Sequence, residues 1–481
     1  LTAPCSERTI ADMIAATHPV QVEEVTKTNA YRLMVFNRAG TQVLLELGPS
    51  GYNLPLVDIP EFSRLAKEVT TVLRDRWSIP SVLLFSGLLE QNPVPVYFGA
   101  LEAQVGTYPS AEGMNWFTVH HAISYLLKNN TQRALESSYV KFTNRIVGND
   151  PEPFSRLGWL SQLKDWVTTV IGPLDMELKD FEQLNGCETF SLIRFETTQY
   201  PVWFKAVGEP NLHEFGISQA LARRLPGYVP EIIATKPEWH GWLMADAGGA
   251  PLRELAAPSA WHTAVETLGK LQVESIGKVD ELTDVGCRNL ATANLLELVD
   301  PFLEVMADLM RQQTKSPPSI PSQQELYELG QTIQYALCCL ATLEIPETIG
   351  HRDFNPGNII IGPGSCTLID WAEAYVGHPF LTFEYFLAHL RKDSPQFVSI
   401  ETDLRASYSR MWKSVVSPTQ VAEAYLFSPL VAVYAYAAGS SAWRDSERLK
   451  IPGFHGYLRS LTRRMKQEAD LLQRRRVECL N

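Results

Sequence analysis

The run His351-Arg352-Asp353-Phe354-Asn355-Pro356-Gly357-Asn358, followed by Ile359-Ile360-Ile361 and then Leu368-Ile369-Asp370-Trp371, constrains this chain more than any other stretch. Three side chains with oxygen donors, Asp353, Asn358 and Asp370, stand beside two short apolar runs. Ile359 to Ile361 and Thr367 to Ile369 read as buried strands, with Gly362-Pro363-Gly364 turning between them. The spacing from Asn358 to Asp370 fits a tight hairpin, which returns the second carboxylate to the neighbourhood of the first. An Asp-x4-Asn match alone is common. A leading histidine, an apolar triplet behind it and a second apolar-flanked aspartate make the composite specific.

Phosphoryl transfer needs a carboxylate beside the attacking hydroxyl and oxygen ligands that hold Mg²⁺ across a triphosphate. A compact loop between two short strands supplies all three groups. Asp353 is then the catalytic residue that orients an acceptor hydroxyl and takes its proton, and Asn358 and Asp370 are the metal ligands. With that carboxylate in place, His351 reads as a structural hydrogen-bonding residue and Arg352 as a brace of the loop. His378 and His389 have no motif company.

The loop matches the H-x-D-x4-N pattern and later metal-binding Asp of kinase-like enzymes. Trp371 in place of the protein kinases' Phe-Gly, with Gly377-His378-Pro379 after it, resembles the aminoglycoside phosphotransferase and choline kinase group over roughly residues 180 to 440. The resemblance implies an α+β, bilobal protein-kinase-like fold, with a β-rich small lobe and a helical large lobe. It also implies ATP or GTP as phosphoryl donor, Mg²⁺ as cofactor and a small-molecule hydroxyl acceptor. Arg352 stands where these enzymes more often have glycine, and Thr382 where they usually have aspartate. Thr382 reads as the cap of a helix from Phe383 to Leu390.

The upstream order suits such a small lobe. Phe190 to Phe195, Val202 to Ala206 and Gly241 to Ala245 are strand-like, and Leu212 to Leu225 is helical before Pro226-Gly227. Lys205 ends a strand where a kinase keeps its phosphate-binding lysine, with Glu214 as its ion partner and Glu209 as the rival. Leu243, Met244 and Ala245 look like the hinge beside the adenine, with Leu243 and Met244 lining an apolar slot. Gly186 is the lone trace of a glycine-rich loop, and no G-x4-G-K-[ST] sequence occurs.

Ahead of this, two apolar runs around Asn37-Arg38-Ala39-Gly40 predict a β-hairpin, and Phe62 to Trp77 a helix with Pro60 in its first turn. Hairpin, Leu54-Pro55, then helix resembles the Nudix hydrolases over roughly residues 20 to 125. Their signature, G-x5-E-x7-R-E-x2-E-E-x-G, is not filled. Thr71 and Val72 stand in place of its metal-binding glutamate pair, so a non-catalytic, structural or ligand-sensing part is expected. The division is then a Nudix-like α/β domain over 1–145, a kinase-like small lobe with helical lead-in over 146–246, and a large lobe over 247–481. Asp150, Pro151 and Pro153 mark the first boundary.

Composition bounds the rest. At 481 residues, 45% hydrophobic and 20% charged, the chain is expected to fold nearly end to end. Its formal charge of −12 disfavours a nucleic-acid surface. Between residues 251 and 443 there are 22 Asp and Glu against 12 Lys and Arg, which favours a small or cationic partner. Seven unpaired-looking cysteines, Cys5 among them, and no basic-then-apolar leader predict a cytoplasmic protein. Tyr425 to Trp443 carries no charge, but Pro429 and Gly439 interrupt it, so a buried helix and no membrane are expected. The basic end, Arg459 to Arg476, reads as a solvated helix, and the oligomeric state stays open. Two other functions fit the same residues. A catalytically inactive nucleotide sensor is one. A protein kinase is the other, although the long activation segment closed by an Ala-Pro-Glu-like signature is missing.

Overall fold

The computed structural model describes residues 27–49, 51–90, 94–104, 113–126, 130–143 and 152–480. Cys5, Asp150 and Pro151 lie outside them. The described chain divides into two compact units, one running to Phe215 and returning over Ile232–Asp246, the other comprising Gly216–Glu231 and everything from Ala247 onward.

The first unit contains two sheets. The larger is built from β1 (Thr28–Phe36), β2 (Gln42–Gly48), β3 (Gly51–Asn53), β4 (Leu56–Pro60), β5 (Ser81–Glu90), β6 (Val96–Ala103) and β7 (Met114–Thr118). Its order is β3-β2-β1-β6-β5, with β4 on β1 and β7 on β2, and β1 runs parallel to β6. The hairpin expected from the sequence joins β1 and β2 with Phe36 opposite Val43. Its turn is held by Asn37, whose Oδ1 accepts from the N–H groups of Thr41 (2.8 Å) and Gln42 (3.0 Å), while Gly40 takes φ +69°. Helix Leu65–Trp77 buries Ala66, Val69, Leu73 and Trp77 against Leu33, Val35 and Leu101. Pro60 does not open this helix. It ends β4, at the edge of the β1 pairing, where a missing N–H costs no ladder bond.

The second sheet has the order β11-β12-β10-β9-β8, from β8 (Leu178–Gly186), β9 (Ser191–Thr197), β10 (Val202–Ala206), β11 (Ile232–Lys236) and β12 (Gly241–Ala245). Helix His213–Arg224 follows β10 as expected. The two sheets share one apolar core, in which Met34, Phe36 and Val43 of the first join Phe195, Phe204 and Leu243 of the second, with Phe154 and Trp159. They are also stitched by Gln183 of β8. Its carboxamide accepts from the Leu83 N–H at 2.7 Å and donates to the Leu83 carbonyl at 3.1 Å, as a neighbouring strand would. Both strands are irregular there, β5 between Leu83 and Phe85 and β8 between Gln183 and Asn185.

The second unit is mainly helical. Its long helices include Pro258–Ser275, Gln323–Thr342, Phe380–Asp393, Pro418–Ala438 and Pro452–Leu480. The apolar-periodic run Leu295 to Met310 is divided between two helices, Thr292–Glu297 and Val299–Arg311, because Pro301 has no N–H to give the Glu297 carbonyl. Pro418–Ala438 is long and apolar enough to cross a membrane, but two thirds of its apolar window is buried inside the protein. Two small sheets complete the unit. One has the order β13 (Ala250–Pro251), β16 (Ile359–Gly362), β17 (Ser365–Leu368), and the other β14 (Arg288–Leu290), β18 (Ala374–Gly377), β15 (Thr348–His351).

Candidate active site

In the first unit, register decides which side chains share a face. β10 lies between β9 and β12, with Phe204 opposite Ile193 and Leu243, and Lys205 opposite Leu192 and Trp242. Successive side chains alternate. Ile193, Phe204 and Leu243 therefore enter the core, while Lys205, Trp242 and Met244 occupy the other face. This corrects the expected apolar slot: Leu243 is fully buried in the core, Ala245 stands opposite core-facing Val202, and Met244 alone of the three shares a face with Lys205. The Lys205 Nζ lies 2.5 Å from Glu214 Oε1, both side chains nearly inaccessible, so the pairing is with Glu214 and not with Glu209. Trp203 on the same face donates its indole N–H to Asp246 at 2.7 Å.

In the second unit, β15 leads into the loop and the β16–β17 hairpin leads out. Ile359 pairs with Leu368 and Ile361 with Cys366, the hairpin turning at residues 362–365. The loop folds on its own polar groups. The Asn355 N–H donates to the Asp353 carbonyl at 2.8 Å, and the Asn358 N–H to the Asn355 carbonyl at 3.0 Å. The Asp353 carboxylate accepts from Asn355 Nδ2 at 2.8 Å on one oxygen and from Asn358 Nδ2 at 3.0 Å on the other. Asn358 Nδ2 also donates to the Asp353 carbonyl at 3.0 Å, which commits the amide nitrogen and leaves the amide oxygen as an acceptor. The Ile369 N–H closes onto the Asn358 carbonyl at 3.0 Å and brings Asp370 beside the loop. Burial first, and then the neighbouring Asp370 charge, pushes the Asp353 carboxyl above its ordinary range.

Asp370 adopts φ +67°, a left-handed conformation that costs a non-glycine residue on the order of 1 kcal/mol. Such strain persists where the surroundings impose it. Here the Trp371 indole donates to the Leu368 carbonyl at 3.1 Å, and the His351 ring bonds the Ile369 carbonyl at 3.1 Å. His351 is thus a bracing residue on the Asp370 turn.

Two supports were not legible in the sequence. Thr382 is no cap, since its helix begins at Phe380. Fully buried, its hydroxyl accepts from the His351 N–H at 3.0 Å and bonds the Tyr375 hydroxyl at 2.8 Å. Glu373 stands between two arginines, 2.8 Å from Arg288 and 3.1 Å from Arg352. Nothing local in the sequence pairs residue 288 with residue 373.

An Asn–Asp pair suits Mg²⁺, which takes one or two protein oxygens and fills its shell with water and phosphate. Among the described residues no three His, Cys, Asp or Glu side chains form a closed metal cluster. The Asn358 amide oxygen, left over by its committed nitrogen, and the exposed Asp370 carboxylate could serve as donors in such an open site.

Residues 209–411 match the phosphotransferase enzyme family. That segment is similar to a phosphotransferase domain. It takes in Glu214 and the whole Asp353–Asp370 loop, and stops at the end of helix Glu401–Met411. No curated protein sequence matches the chain. Among solved structures, choline kinase from Cryptosporidium parvum superposes with 13% identity and TM-score 0.45, covering 66% of this chain and 97% of its own. Plasmodium vivax ethanolamine kinase gives 13% and 0.43, over 72% and 92%. Spectinomycin phosphotransferase, solved with ADP and spectinomycin, gives 11% and 0.38, over 64% and 98%.

Proposed function

We propose that the phosphotransferase domain moves the terminal phosphoryl group of ATP or GTP to the hydroxyl of a small molecule, with Asp353 as catalytic residue. The reading rests on one arrangement: a carboxylate held at both oxygens by Asn355 and Asn358, with the exposed Asp370 brought beside it by the Ile369–Asn358 backbone bond. Each Asp353 oxygen keeps a lone pair after accepting its amide, enough to receive the acceptor proton. The bond from acceptor oxygen to phosphorus forms as the bond to the bridging oxygen breaks, the proton passes to Asp353, and nucleoside diphosphate leaves. Asn358 and Asp370 would hold Mg²⁺, which when bound offsets the charge of the triphosphate. The Lys205–Glu214 pair would take the donor phosphates, and the β12 backbone at Leu243 to Ala245 with the Met244 side chain would meet the base. Residues before 146 do no chemistry in this reading.

Nucleoside diphosphate release, measured with Mg²⁺ over a panel of hydroxyl compounds, tests it. Asp353→Asn should lower turnover by roughly a hundredfold or more, the usual worth of a positioned base, and Asp370→Ala should abolish it. Nucleotide binding without Mg²⁺-dependent turnover across the panel would sink the proposal in favour of a sensor.

A further inference from the structure

Beside the Asp353 loop, entirely within the second unit, lies a cavity of about 40 Å³ walled by helices Phe380–Asp393, Pro418–Ala438 and Pro452–Leu480. A single water needs roughly 10 to 15 Å³ by the same measure, so the cavity admits a group of a few heavy atoms. Arg352 and Tyr385 both line it and are more than nine-tenths buried. The Arg352 Nε and the Tyr385 hydroxyl have no hydrogen-bond partner. Leaving such donors unmet is destabilising, and more so for a charged group.

The charge balance at Arg352 is uneven. Arg352 and Arg288 share the single carboxylate of Glu373, and at Arg352 Nη1 the 3.1 Å separation lacks hydrogen-bond alignment. One positive charge is left over. Of the other charges in the wall, Glu384 is neutralised by Arg405 at 2.9 Å and Arg391 by Glu401 at 2.6 Å, and the His389 ring bonds Asp393 at 2.7 Å. Arg464 lines the cavity with no ion pair among the described residues, one turn before the carboxylate of Glu468. Of the two tyrosine rings in the wall, that of Tyr436 already meets a cation, the Arg352 guanidinium lying 5.1 Å over it.

Resting on the phosphotransferase reading above, we infer that this cavity receives the head group of the acceptor and that the acceptor is a small hydroxy acid, its carboxylate taken by Arg352 and Arg464. Arg352, which lines the wall, is the residue immediately before Asp353 in the loop. An acceptor anchored here therefore lies beside the loop that carries that carboxylate. The transfer is the one already written: hydroxyl oxygen to phosphorus, proton to Asp353, nucleoside diphosphate released. The acidic surplus of residues 251–443 argues for a cation at large, but the charge left over in the cavity wall is that of the Arg352 guanidinium, and over a few ångströms local charge outweighs distant charge.

The full chain, with Mg²⁺ and ATP or GTP, would be given glycerate, glycerol or choline as acceptor at equal concentration. Glycerate is expected to show kcat/KM at least about tenfold above either, the worth of one charge-assisted hydrogen bond. Arg464→Gln is expected to lower the glycerate value about tenfold through KM, with Arg464→Lys recovering part. Acceptor-independent nucleotide hydrolysis that requires Asp370 reads the underlying phosphotransferase assignment separately. If it is present but glycerate fails to exceed glycerol and choline, the hydroxy-acid inference is wrong and the phosphotransferase reading stands. If neither hydrolysis nor transfer occurs, both fall.

Discussion

Replacing Thr382 with valine keeps the shape of the side chain and removes its hydroxyl. That hydroxyl is the acceptor of the His351 N–H at 3.0 Å and the partner of the Tyr375 phenol at 2.8 Å, and all three residues are buried to within 1% of their surface. Valine leaves two buried polar groups unmet, at about 1–3 kcal/mol each, while its extra methyl returns about 0.8 kcal/mol. The net loss is about 2–3 kcal/mol. Because 1.4 kcal/mol is a factor of ten, exchange of the His351 amide with solvent deuterium should speed up by roughly thirtyfold or more, read by mass spectrometry on a peptide spanning 348–351. Tyr375→Phe removes one of the stranded groups, so the double variant should lose less than the sum of the singles by at least about 0.5 kcal/mol. Unchanged exchange at His351, or strict additivity, would refute the claim that Thr382 holds the strand leading into the loop.

Two further outcomes follow from the same kind of accounting. Lys205→Met leaves Glu214 buried without its cation and should cost about 3–5 kcal/mol, whereas Lys205→Met with Glu214→Leu should recover most of that loss; thermal unfolding distinguishes them. His378 is buried with both ring nitrogens unpartnered, and burial lowers its pKa from 6.5 to about 3. Between these values the unfolded chain binds the extra proton, so folding stability falls as pH drops from 6.5 toward 3, by about 1.4 kcal/mol per unit. His378→Leu should flatten that slope by about 2 kcal/mol between pH 6.5 and 5, measured from denaturation midpoints; an unaltered slope would count against it.

What could be read in advance was local. The strands Val202–Ala206 and Gly241–Ala245 and the helix at 213–224 follow from short-range periodicity and breakers, and the Asp353–Asp370 hairpin from its own apolar runs. The Lys205–Glu214 pair was legible because strand and helix are adjacent in sequence. What escaped depends on contacts across the chain. Thr382 looks like a cap until the helix is seen to begin two residues earlier, and its partners sit at 351 and 375. The sharing of Glu373 by Arg288 and Arg352 requires the parallel pairing of β14 with β18. The direction of Leu243 was available from strand alternation, but only once the register against Phe204 was fixed.

The core that joins Met34, Phe36 and Val43 to Phe195, Phe204 and Leu243 has a practical corollary. A fragment cut to begin near residue 152 would carry Phe154, Trp159 and Phe204 with much of their packing stripped away, and the Gln183 carboxamide with nothing to clasp. Anyone expressing the transferase portion by itself should expect a sticky, poorly behaved polypeptide, and the leading segment is better regarded as scaffolding than as a detachable appendage.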